Sequence, residues 1–487
     1  MKRIFLIIFL FLLIFSSLSN ASSIKKITIT QKIITVDNEE GDADYTSIQD
    51  AIDNADPEDI IEVYSGTYYE IITINKQIIL RGIDYEIGTG NDIGDPIIDN
   101  DYTSTGSIIK VMADDVEITG FIIEDFHKWR DSTGITITSK NNTIMHNVIR
   151  KTMGSHGGSA IWLKQSSENE VSYNEIYTMK DGWTSIYKGI EIDGGRENLV
   201  HHNILNYVSF GVDLYGTHNK VFRNKFFKSE LRIGNQHNLA AENYFDKGRI
   251  ELISDYCKYN TIYRNNFNNA EEATYVYDAV NNDIIENNYI DSSAYFIFSP
   301  IIYFDESLYN IYDGNYWNEP KYLIYTIKGE WQVTDYTTAP GFRYDYNPAS
   351  EPYIIPTGFN QKPSKPSTPN GPESGKKDID YTYTSISEDS DGHYLYYLFD
   401  WGDGSDSGWV GPYNSGEVCK ASYNWAEKGD YDIKVKTKDI YDCESEFSDI
   451  LTVDISKGKS KNVNSFLLRF LEKYPILYKL FEGLLSV

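Results

Sequence analysis

A pair of asparagines five positions apart recurs seven times along the middle of the chain. Each asparagine is followed two positions later by an apolar residue, as in NKVFRNKF at 219–226. The first asparagines lie 19 to 29 residues apart and are Asn142, Asn169, Asn198, Asn219, Asn238, Asn260 and Asn282. The second asparagines are Asn147, Asn174, Asn203, Asn224, Asn243, Asn265 and Asn287. A repeat of this length indicates a stacked array of similar units.

Each repeat unit has the pattern of short strands rather than of a helix. Apolar and polar residues alternate, and a further alternating strand precedes each pair, such as GIEID at 189–193 and GVDLY at 211–215. A coil of three such strands can bury its apolar face only against neighbouring coils. Asparagine tolerates left-handed backbone at turns, and its amide can bond the equivalent amide one coil away. These features predict an all-β chain whose main part is a right-handed parallel β-helix with an asparagine ladder.

The ends of the β-helix are predicted from breaks in the repeat. DYTSIQDAIDNA at 44–55 has apolar residues on one face of a short helix, which would cover the first coil. After the last coil, residues 314–356 are rich in Tyr, Trp and Pro and would close the other end. We therefore predict a β-helix over 24–356, with an N-terminal helix cap and a C-terminal closing segment.

The remaining segments differ from the β-helix in composition. Residues 1–21 carry Lys2 and Arg3 before an apolar run and small residues, which predicts a signal peptide and a secreted or surface-attached protein; a retained anchor is the alternative. The further segments are a Pro/Ser-rich linker at 357–377, a small β-sandwich at 378–456 and an amphipathic helix at 465–487. That helix could lie on a membrane, bind a partner or pack on its own chain.

Composition limits the classes of partner. A net charge of −28 and a pI of about 4.6 argue against nucleic acid and suit cations or neutral glycans. The 40 Tyr and 8 Trp residues provide rings on which sugars can stack. With three cysteines the chain is not a disulfide scaffold; Cys257 reads as a core thiol, and pairing of Cys419 with Cys443 is left open.

Alternation along the strands predicts which side chains face outward. Taking the apolar residues as inward places Glu191, Asp193 and Asp213 on one outer patch of adjacent coils. The candidate catalytic residues are Glu191, Asp193, Asp213, Arg232 and Lys164, and the candidate sugar-stacking residues are Trp162, Trp183 and Tyr215.

Three crowded carboxylates have several chemical uses. Repulsion would raise the pKa of one of them or recruit a cation such as Ca²⁺, for which Asp193 and Asp213 are the candidate ligands. A carboxylic acid and a carboxylate can hydrolyse a glycosidic bond, whereas a cation with Arg232 or Lys164 as base would suit β-elimination. An acidic chain also places acids side by side on a merely solvated face, so whether the protein is an enzyme is left open.

The same stretches resemble known families. TSIQDAID, IIEVYSGTYYE, IILRG and the asparagine coils are similar to the NosD-like group of pectin-lyase-like β-helix proteins, whose coils are called carbohydrate-binding and sugar-hydrolysis repeats, and GNYW with YDYNPASEPYII resembles their closing segment. YLFDWGDGSDSGW with GDYDIKVKTKD resembles a PKD domain, an immunoglobulin-like sandwich. The NosD name implies copper delivery, but the eight His and five Met are scattered, without a copper-like cluster.

The aspartates of the PKD-like stretch do not follow a calcium-loop spacing. Asp400, Asp403 and Asp406 lack the glycine and glutamate positions of an EF-hand, so we predict a structural role for this turn. Taken together, the sequence predicts a secreted or cell-surface protein that binds glycans, and it leaves carbohydrate-processing activity open. The alternatives are a polysaccharide lyase or glycoside hydrolase, and a structural or adhesive surface protein without catalysis.

Overall fold

A computed structural model describes residues 31–41, 43–88, 90–99, 106–124, 132–151, 158–178, 188–298, 310–318, 325–334, 337–353, 355 and 360–456. The chain divides into two compact units, Met1–Ile355 and Pro356–Val487. The predicted signal peptide, Trp183 and the predicted C-terminal helix lie outside the described residues. Among the helices in the described ranges, none combines the length and apolarity needed to cross a membrane.

The first unit consists almost entirely of short strands. It opens with β1 Ile33–Val36, α1 Ile48–Asn54, β2 Ile60–Val63, β3 Thr67–Tyr69, β4 Ile72–Ile74, β5 Ile79–Gly82, β6 Ile97–Asp99, β7 Ser107–Val111, β8 Glu117–Thr119 and β9 Ile122–Glu124. The asparagine coils contain β10 Thr133–Ile137, β11 Thr143–Met145, β12 Val148–Lys151, β13 Ser159–Lys164, β14 Glu170–Ser172, β15 Glu175–Thr178, β16 Lys188–Asp193, β17 Leu199–His201, β18 Ile204–Asn206, β19 Phe210–Leu214, β20 Lys220–Phe222, β21 Lys225–Phe227, β22 Glu230–Ile233, β23 Leu239–Ala241, β24 Tyr244–Asp246, β25 Ile250–Ile253, β26 Thr261–Tyr263, β27 Asn266–Asn268, β28 Thr274–Tyr277, β29 Asp283–Ile285 and β30 Asn288–Ile290. The closing segment contains β31 Ala294–Phe298, β32 Ile311–Asp313, β33 Tyr316–Trp317, β34 Tyr325–Thr334 and β35 Thr337–Asp345.

The strands stack into three parallel sheets, because each strand pairs with the equivalent strand of the next coil. The leading sheet is β4, β7, β10, β13, β16, β19, β22, β25, β28, β31 and β34. A second sheet runs from β1 through β2, β5, β8 and β11 to β32, and a third from β3 to β33. Inward residues such as Ile190 and Ile192 are fully buried, whereas the residue between them is partly exposed. The predicted right-handed parallel β-helix is therefore confirmed.

Both asparagine ladders form. In the second ladder, Nδ2 of each asparagine donates to Oδ1 of the next at 2.9–3.1 Å, from Asn147 to Asn287. In the first ladder the same bonds are 2.9–3.3 Å long. The second ladder continues through Asn315 to Asp345, whose Oδ2 accepts the last amide at 3.1 Å. The sequence repeat had not indicated these two last rungs.

The turns before the ladder asparagines hold the left-handed backbone. The expectation that the asparagines themselves are left-handed is wrong, because the positive φ falls one residue earlier, as at Arg223 (54°) and Glu242 (54°). Each ladder side chain must point into the coil, where its Nδ2 also reaches a backbone carbonyl; Asn224 Nδ2 lies 2.9 Å from the oxygen of Val200. The sharp turn is therefore made by the residue that precedes each ladder asparagine.

Both ends of the β-helix are closed by elements other than coils. Helix α1 forms where the sequence predicted it, with the Ser47 side chain accepting the Asp50 N–H and with Ile48, Ala51 and Ile52 buried. At the other end, β34 and β35 form an antiparallel hairpin. Inside the last coils, stacked rings with centroids 4.1–5.1 Å apart fill the core; they are Phe226, Phe245, Phe267, Tyr289, Trp317 and Tyr325.

The second unit is the predicted small β-sandwich. Its strands are β36 Ser374–Gly375, β37 Tyr381–Ser385, β38 Leu395–Asp400, β39 Asp406–Tyr413, β40 Cys419–Tyr423, β41 Gly429–Lys438 and β42 Leu451–Ile455. One sheet has the order β36-β42-β41-β38-β39, and β37 pairs with β40 in the other. Buried Tyr383, Trp401 and Trp425 form part of the core of this unit. Cys257, Cys419 and Cys443 are all free, so the disulfide left open by the sequence is not formed.

The predicted linker over 357–377 is part of this sandwich from residue 360 onward. Ser364 N donates to Glu388 O at 2.8 Å, and Ser367 N donates to Ile386 O at 2.9 Å. Proline and serine give this stretch the composition of a linker. The N–H groups between the prolines nevertheless pair with the segment that follows β37, and this pairing could not be inferred from composition.

Candidate functional site

The predicted acids lie on the outer face of the leading sheet, on consecutive coils. Residues at equivalent positions pair in register: Trp162 with Glu191, Glu191 with Asp213, and Asp213 with Arg232. Adjacent parallel strands are about 4.8 Å apart. The structure therefore brings together Glu191, Asp213 and Arg232, as the alternation of the strands predicted.

Other predicted residues are near this column but not part of it. Asp193 pairs in register with Lys164, and both side chains are exposed. The Lys164 Nζ lies 4.5 Å from the ring centroid of Trp162. Tyr215 is 37% exposed and directly follows β19. Glu191 rather than Asp193 is the carboxylate beside Asp213, so the two predicted Ca²⁺ ligands are not register partners, and that metal site stays a prediction.

Asp213 is fully buried and is neutralised by two cations. Arg232 holds it with two hydrogen bonds, Nε to Oδ1 at 2.7 Å and a second guanidinium nitrogen to Oδ2 at 2.9 Å. Lys188 Nζ lies 2.8 Å from Asp213 Oδ2 and 2.5 Å from Glu191 Oε1. Ser159 donates to the other oxygen of Glu191 at 2.5 Å. The expected repulsion between bare carboxylates is therefore replaced by a neutralised network.

The electrostatics of the two cations follow from these contacts. Burial alone would lower the pKa of Lys188, but its hydrogen bonds to Asp213 and Glu191 outweigh burial and raise the pKa above its ordinary value. The bidentate pair with Asp213 stabilises the charged form of Arg232 in the same way. Both groups are thus held as cations, which argues against the predicted use of Arg232 as a base.

Sequence reasoning missed Lys188 because strict alternation fails at the start of its strand. Gly189 and Ile190 are both buried, so the residues on either side of this pair, Lys188 and Glu191, share the outer face. Neighbouring coils have the same feature, with two buried residues in succession beginning with a small residue at Gly134, Ala160 and Gly211. A small residue before the first inward isoleucine or valine is the signal that could have identified this position.

A second charged group, also missed, lies one coil further along. Arg249 contacts three carboxylates: Nε is 3.1 Å from Glu230, another nitrogen is 3.2 Å from Glu272, and a third pairs with Glu251. Burial, followed by the charge of Glu251, raises the pKa of Glu230 to about 7. The acid with the raised pKa that the sequence analysis expected among Glu191, Asp193 and Asp213 is therefore found at Glu230.

Aromatic rings accompany the charges along this face. The Arg232 guanidinium carbon lies 3.6 Å from the ring centroid of Phe210 and 5.7 Å from that of Tyr215. The guanidinium carbon of Arg249 lies 5.2 Å from the Tyr275 centroid, and Tyr275 stacks on Tyr295 at 6.2 Å. The outer face of the leading sheet thus alternates rings and ion pairs over several coils.

The second unit contains a buried group suited to a metal ion. Ligand atoms of Asp389, His393 and Asp439 lie within 4.8 Å of one another, and all three residues are buried. Burial raises the pKa of Asp389 and of Asp439. The Asn360 Nδ2 donates to Asp439 at 2.6 Å, and Asp389 Oδ2 is buried without a hydrogen-bond partner. Two carboxylates and an imidazole form a mixed oxygen and nitrogen set, which suits a transition metal such as Zn²⁺ better than Ca²⁺, so these residues could hold such an ion.

Aspartates of the WGDG stretch accept backbone N–H groups of their own turn, and Asp403 also accepts from the Tyr423 hydroxyl at 2.7 Å. Asp400 Oδ1 accepts the Gly402 N–H at 3.0 Å, and Asp403 Oδ1 accepts the Ser405 N–H at 3.0 Å. Gly402 has φ +77°, a conformation that favours glycine. These bonds agree with the structural role predicted for the stretch.

Comparison with a family profile supports the β-helix. A family profile described as "Right handed beta helix region" matches residues 81–245. The PKD domain of an M14-like peptidase from a Thermoplasmatales archaeon is 37% identical, with all of that chain and 20% of this chain covered, at a TM-score of 0.19. No curated protein matches the chain.

Two further solved structures match longer stretches of the chain at lower sequence identity. A lacto-N-biosidase from Eubacterium ramulus is 9% identical, covering 58% of this chain and 64% of its own, with a TM-score of 0.29. A tailspike protein mutant of an E. coli bacteriophage, solved with a pentasaccharide, is 7% identical over 84% of this chain and 80% of its own, with a TM-score of 0.23.

Proposed function

We propose, for a chain that is a right-handed β-helix followed by a small β-sandwich, that the outer face of the leading sheet binds glycans. The observation that carries this proposal is the alternation of rings and ion pairs on successive coils. Phe210, Tyr215 and Tyr275 provide surfaces on which sugar rings stack, and Glu191 and Arg232 provide groups that bond hydroxyls.

The rigidity of this face also supports binding. The ion pairs of Lys188 and Arg232 hold their side chains in one arrangement, and each lies on a strand paired on both sides. A ligand that docks here would not have to order these side chains, so little conformational entropy opposes binding. A protein that served only as a structural spacer would not need rings and ion pairs held in this way on one face. Substitution of the rings therefore distinguishes the two roles.

A glycan array followed by titration calorimetry on its hits tests the proposal. We expect Tyr215→Ala and Tyr275→Ala each to weaken binding by about tenfold, because one stacking surface is lost. Tyr256→Ala is the matched control, since Tyr256 is 70% exposed and lies outside the leading sheet. An array without hits, or equal weakening by all three substitutions, would favour a structural or adhesive role.

Cleavage of the bound glycan is a second candidate function, favoured by Glu230. A carboxyl with a pKa near 7 is protonated often enough at neutral pH to act as a general acid, and the partly exposed Glu191 would be the partner carboxylate. A reducing-end assay on an array hit tests this reading. If Glu230→Gln abolishes cleavage while calorimetry shows unchanged binding, the protein cleaves the glycan and Glu230 is required for that reaction. If the wild type releases no reducing ends, binding is its only role at this face.

A further inference from the structure

A group of acids lies near the first coil, away from the leading sheet. Asp37 and Glu39 follow β1, and Glu86 lies in the segment after β5. One carboxylate oxygen from each lies within 4.8 Å of the others. The group joins two segments that are distant in sequence at the N-terminal end of the β-helix.

Asp37 is fully buried, yet both of its carboxylate oxygens lack a hydrogen-bond partner. One buried oxygen of Glu39 and one of Glu86 are also without partners. A buried polar oxygen that accepts nothing costs roughly 1–3 kcal/mol, and an unpaired charge costs more. Four such oxygens in one place point to a ligand that carries positive charge.

No basic side chain supplies that charge within the described part of the chain. The ion pairs found there do not include Asp37, Glu39 or Glu86. Burial, followed by the charges of Glu86 and Glu39, raises the pKa of Asp37 to about 7. The same carboxylates contribute to a raised pKa of Tyr68, after burial. The negative charge is therefore not compensated by any side chain among the described residues.

The spacing of the oxygens matches one cation in particular. Ca²⁺ takes oxygen ligands at about 2.3–2.6 Å, so two ligands on opposite sides are up to about 5 Å apart. Oxygens within 4.8 Å of one another fit around such an ion. Mg²⁺ needs shorter distances of about 2.1 Å and near-octahedral geometry, which three carboxylates on two separate segments supply less readily.

We propose that Asp37, Glu39 and Glu86 form a Ca²⁺ site that ties the segment after β1 to the segment after β5. The Glu86 segment is already placed for this role, because the other oxygen of Glu86 accepts the Asp92 N–H at 3.3 Å and Asn38 reaches Asp92 at 3.3 Å. The ion fastens the N-terminal end of the described solenoid, where β1 pairs with β2 and bridges to the segment at Tyr45.

Calorimetric titration of the full chain with CaCl₂, after treatment with EGTA, tests the proposal. We expect Asp37→Asn and Glu86→Gln each to weaken one binding event by at least about tenfold, because loss of a partner outside the ligand shell already costs a metal site about that much. Glu40→Gln is the matched control, because Glu40 is exposed and adjacent in sequence to Glu39. Asp439→Asn identifies any separate event at the buried acids of the second unit.

Hydrogen exchange with and without CaCl₂ locates the site independently. Peptides covering 33–45 and 83–96 should gain protection on addition of Ca²⁺, and the gain should be absent in Asp37→Asn and Glu86→Gln. Both variants are measured because one of them could lose Ca²⁺ binding simply by failing to fold. A wild-type chain that binds no Ca²⁺, or binding and protection that survive both substitutions, would overturn the proposal and leave protonation of the acids as the way the cluster is neutralised.

Discussion

Asp213 and Asp37 are both fully buried aspartates of the same β-helix, but their surroundings differ. Asp213 accepts from Arg232 and Lys188, which come from the coils after and before it. Asp37 follows β1, which pairs with β2 as its neighbouring coil, and both of its oxygens lack partners. In a solenoid, a carboxylate inside the stack can be neutralised by adjacent rungs, whereas one at the first rung depends on what binds there.

Removing a cation from Asp213 should have the largest effect of these substitutions on the free energy of unfolding. We expect Arg232→Met to lower the free energy of unfolding of the β-helix by about 3 kcal/mol, because a buried charge loses its bidentate partner and keeps only Lys188. Urea unfolding followed by circular dichroism measures it. Arg81→Met is the control, since Arg81 is 40% exposed and 3.5 Å from Glu62, and should cost less than about 1 kcal/mol. Equal losses of stability in Arg232→Met and Arg81→Met would show that the buried ion pair at Asp213 matters no more than an exposed one.

Glu230 is expected to produce a pH-dependent effect. Its pKa rises from 4.5 to about 7 in the folded protein, so stability is full below about pH 4.5 and falls as the pH approaches 7. Glu251 opposes its ionisation, and Arg249 and Arg232 favour it. In Glu230→Gln, stability should fall by about 2 kcal/mol less over this pH range than in the wild type. The melting temperature of the variant should therefore change less between pH 4.5 and 7.5. If the melting temperatures of wild type and variant change with pH in parallel, ionisation of Glu230 does not destabilise the fold.

Neutralising Asp37 should act in opposite directions with and without Ca²⁺. In EGTA, Asp37→Asn should raise the free energy of opening the first coil by about 1 kcal/mol, because one of three repelling charges is removed. In Ca²⁺ the same variant should be less stable than the wild type. Hydrogen exchange in peptide 33–45 under the two conditions measures both signs. A variant that is destabilised equally in both conditions would show that repulsion between the Asp37 carboxylate and its acidic neighbours does not destabilise the first coil.

The smallest effect is expected at Asp193. Its side chain is exposed, beside Lys164 in register, so Asp193→Asn should change the free energy of unfolding by less than about 0.5 kcal/mol. The measurement is the same urea titration used for Arg232→Met. A loss comparable to that of Arg232→Met would show that Asp193 is part of the buried network.

Local sequence pattern was sufficient for the architecture. The five-residue spacing of Asn219 and Asn224 predicted both ladders, and alternation in GIEID predicted that Glu191 faces outward beside Asp213. These features depend on strand periodicity, which the sequence displays directly.

The electrostatics of the site could not be predicted from the same pattern. Lys188 joins Asp213 through two buried residues in succession, an irregularity that alternation does not anticipate. Glu230 obtains its raised pKa from burial and from Glu251 on the next coil, which requires the register of the stack. The pairing of residues 360–370 with the sandwich likewise depends on tertiary contacts rather than on composition.

Asp345 has a consequence for self-association. Its side chain accepts from Asn315 and from the indole of Trp317 at 3.0 Å, but a carboxylate has no N–H to pass on. An asparagine in its place would carry an amide donor that could extend the ladder by a further rung, in the manner of an amyloid-like side-chain ladder. Because the last acceptor is a fully buried carboxylate without a donor, the ladder ends inside the protein and leaves no side-chain rung on which a second solenoid could stack head to tail.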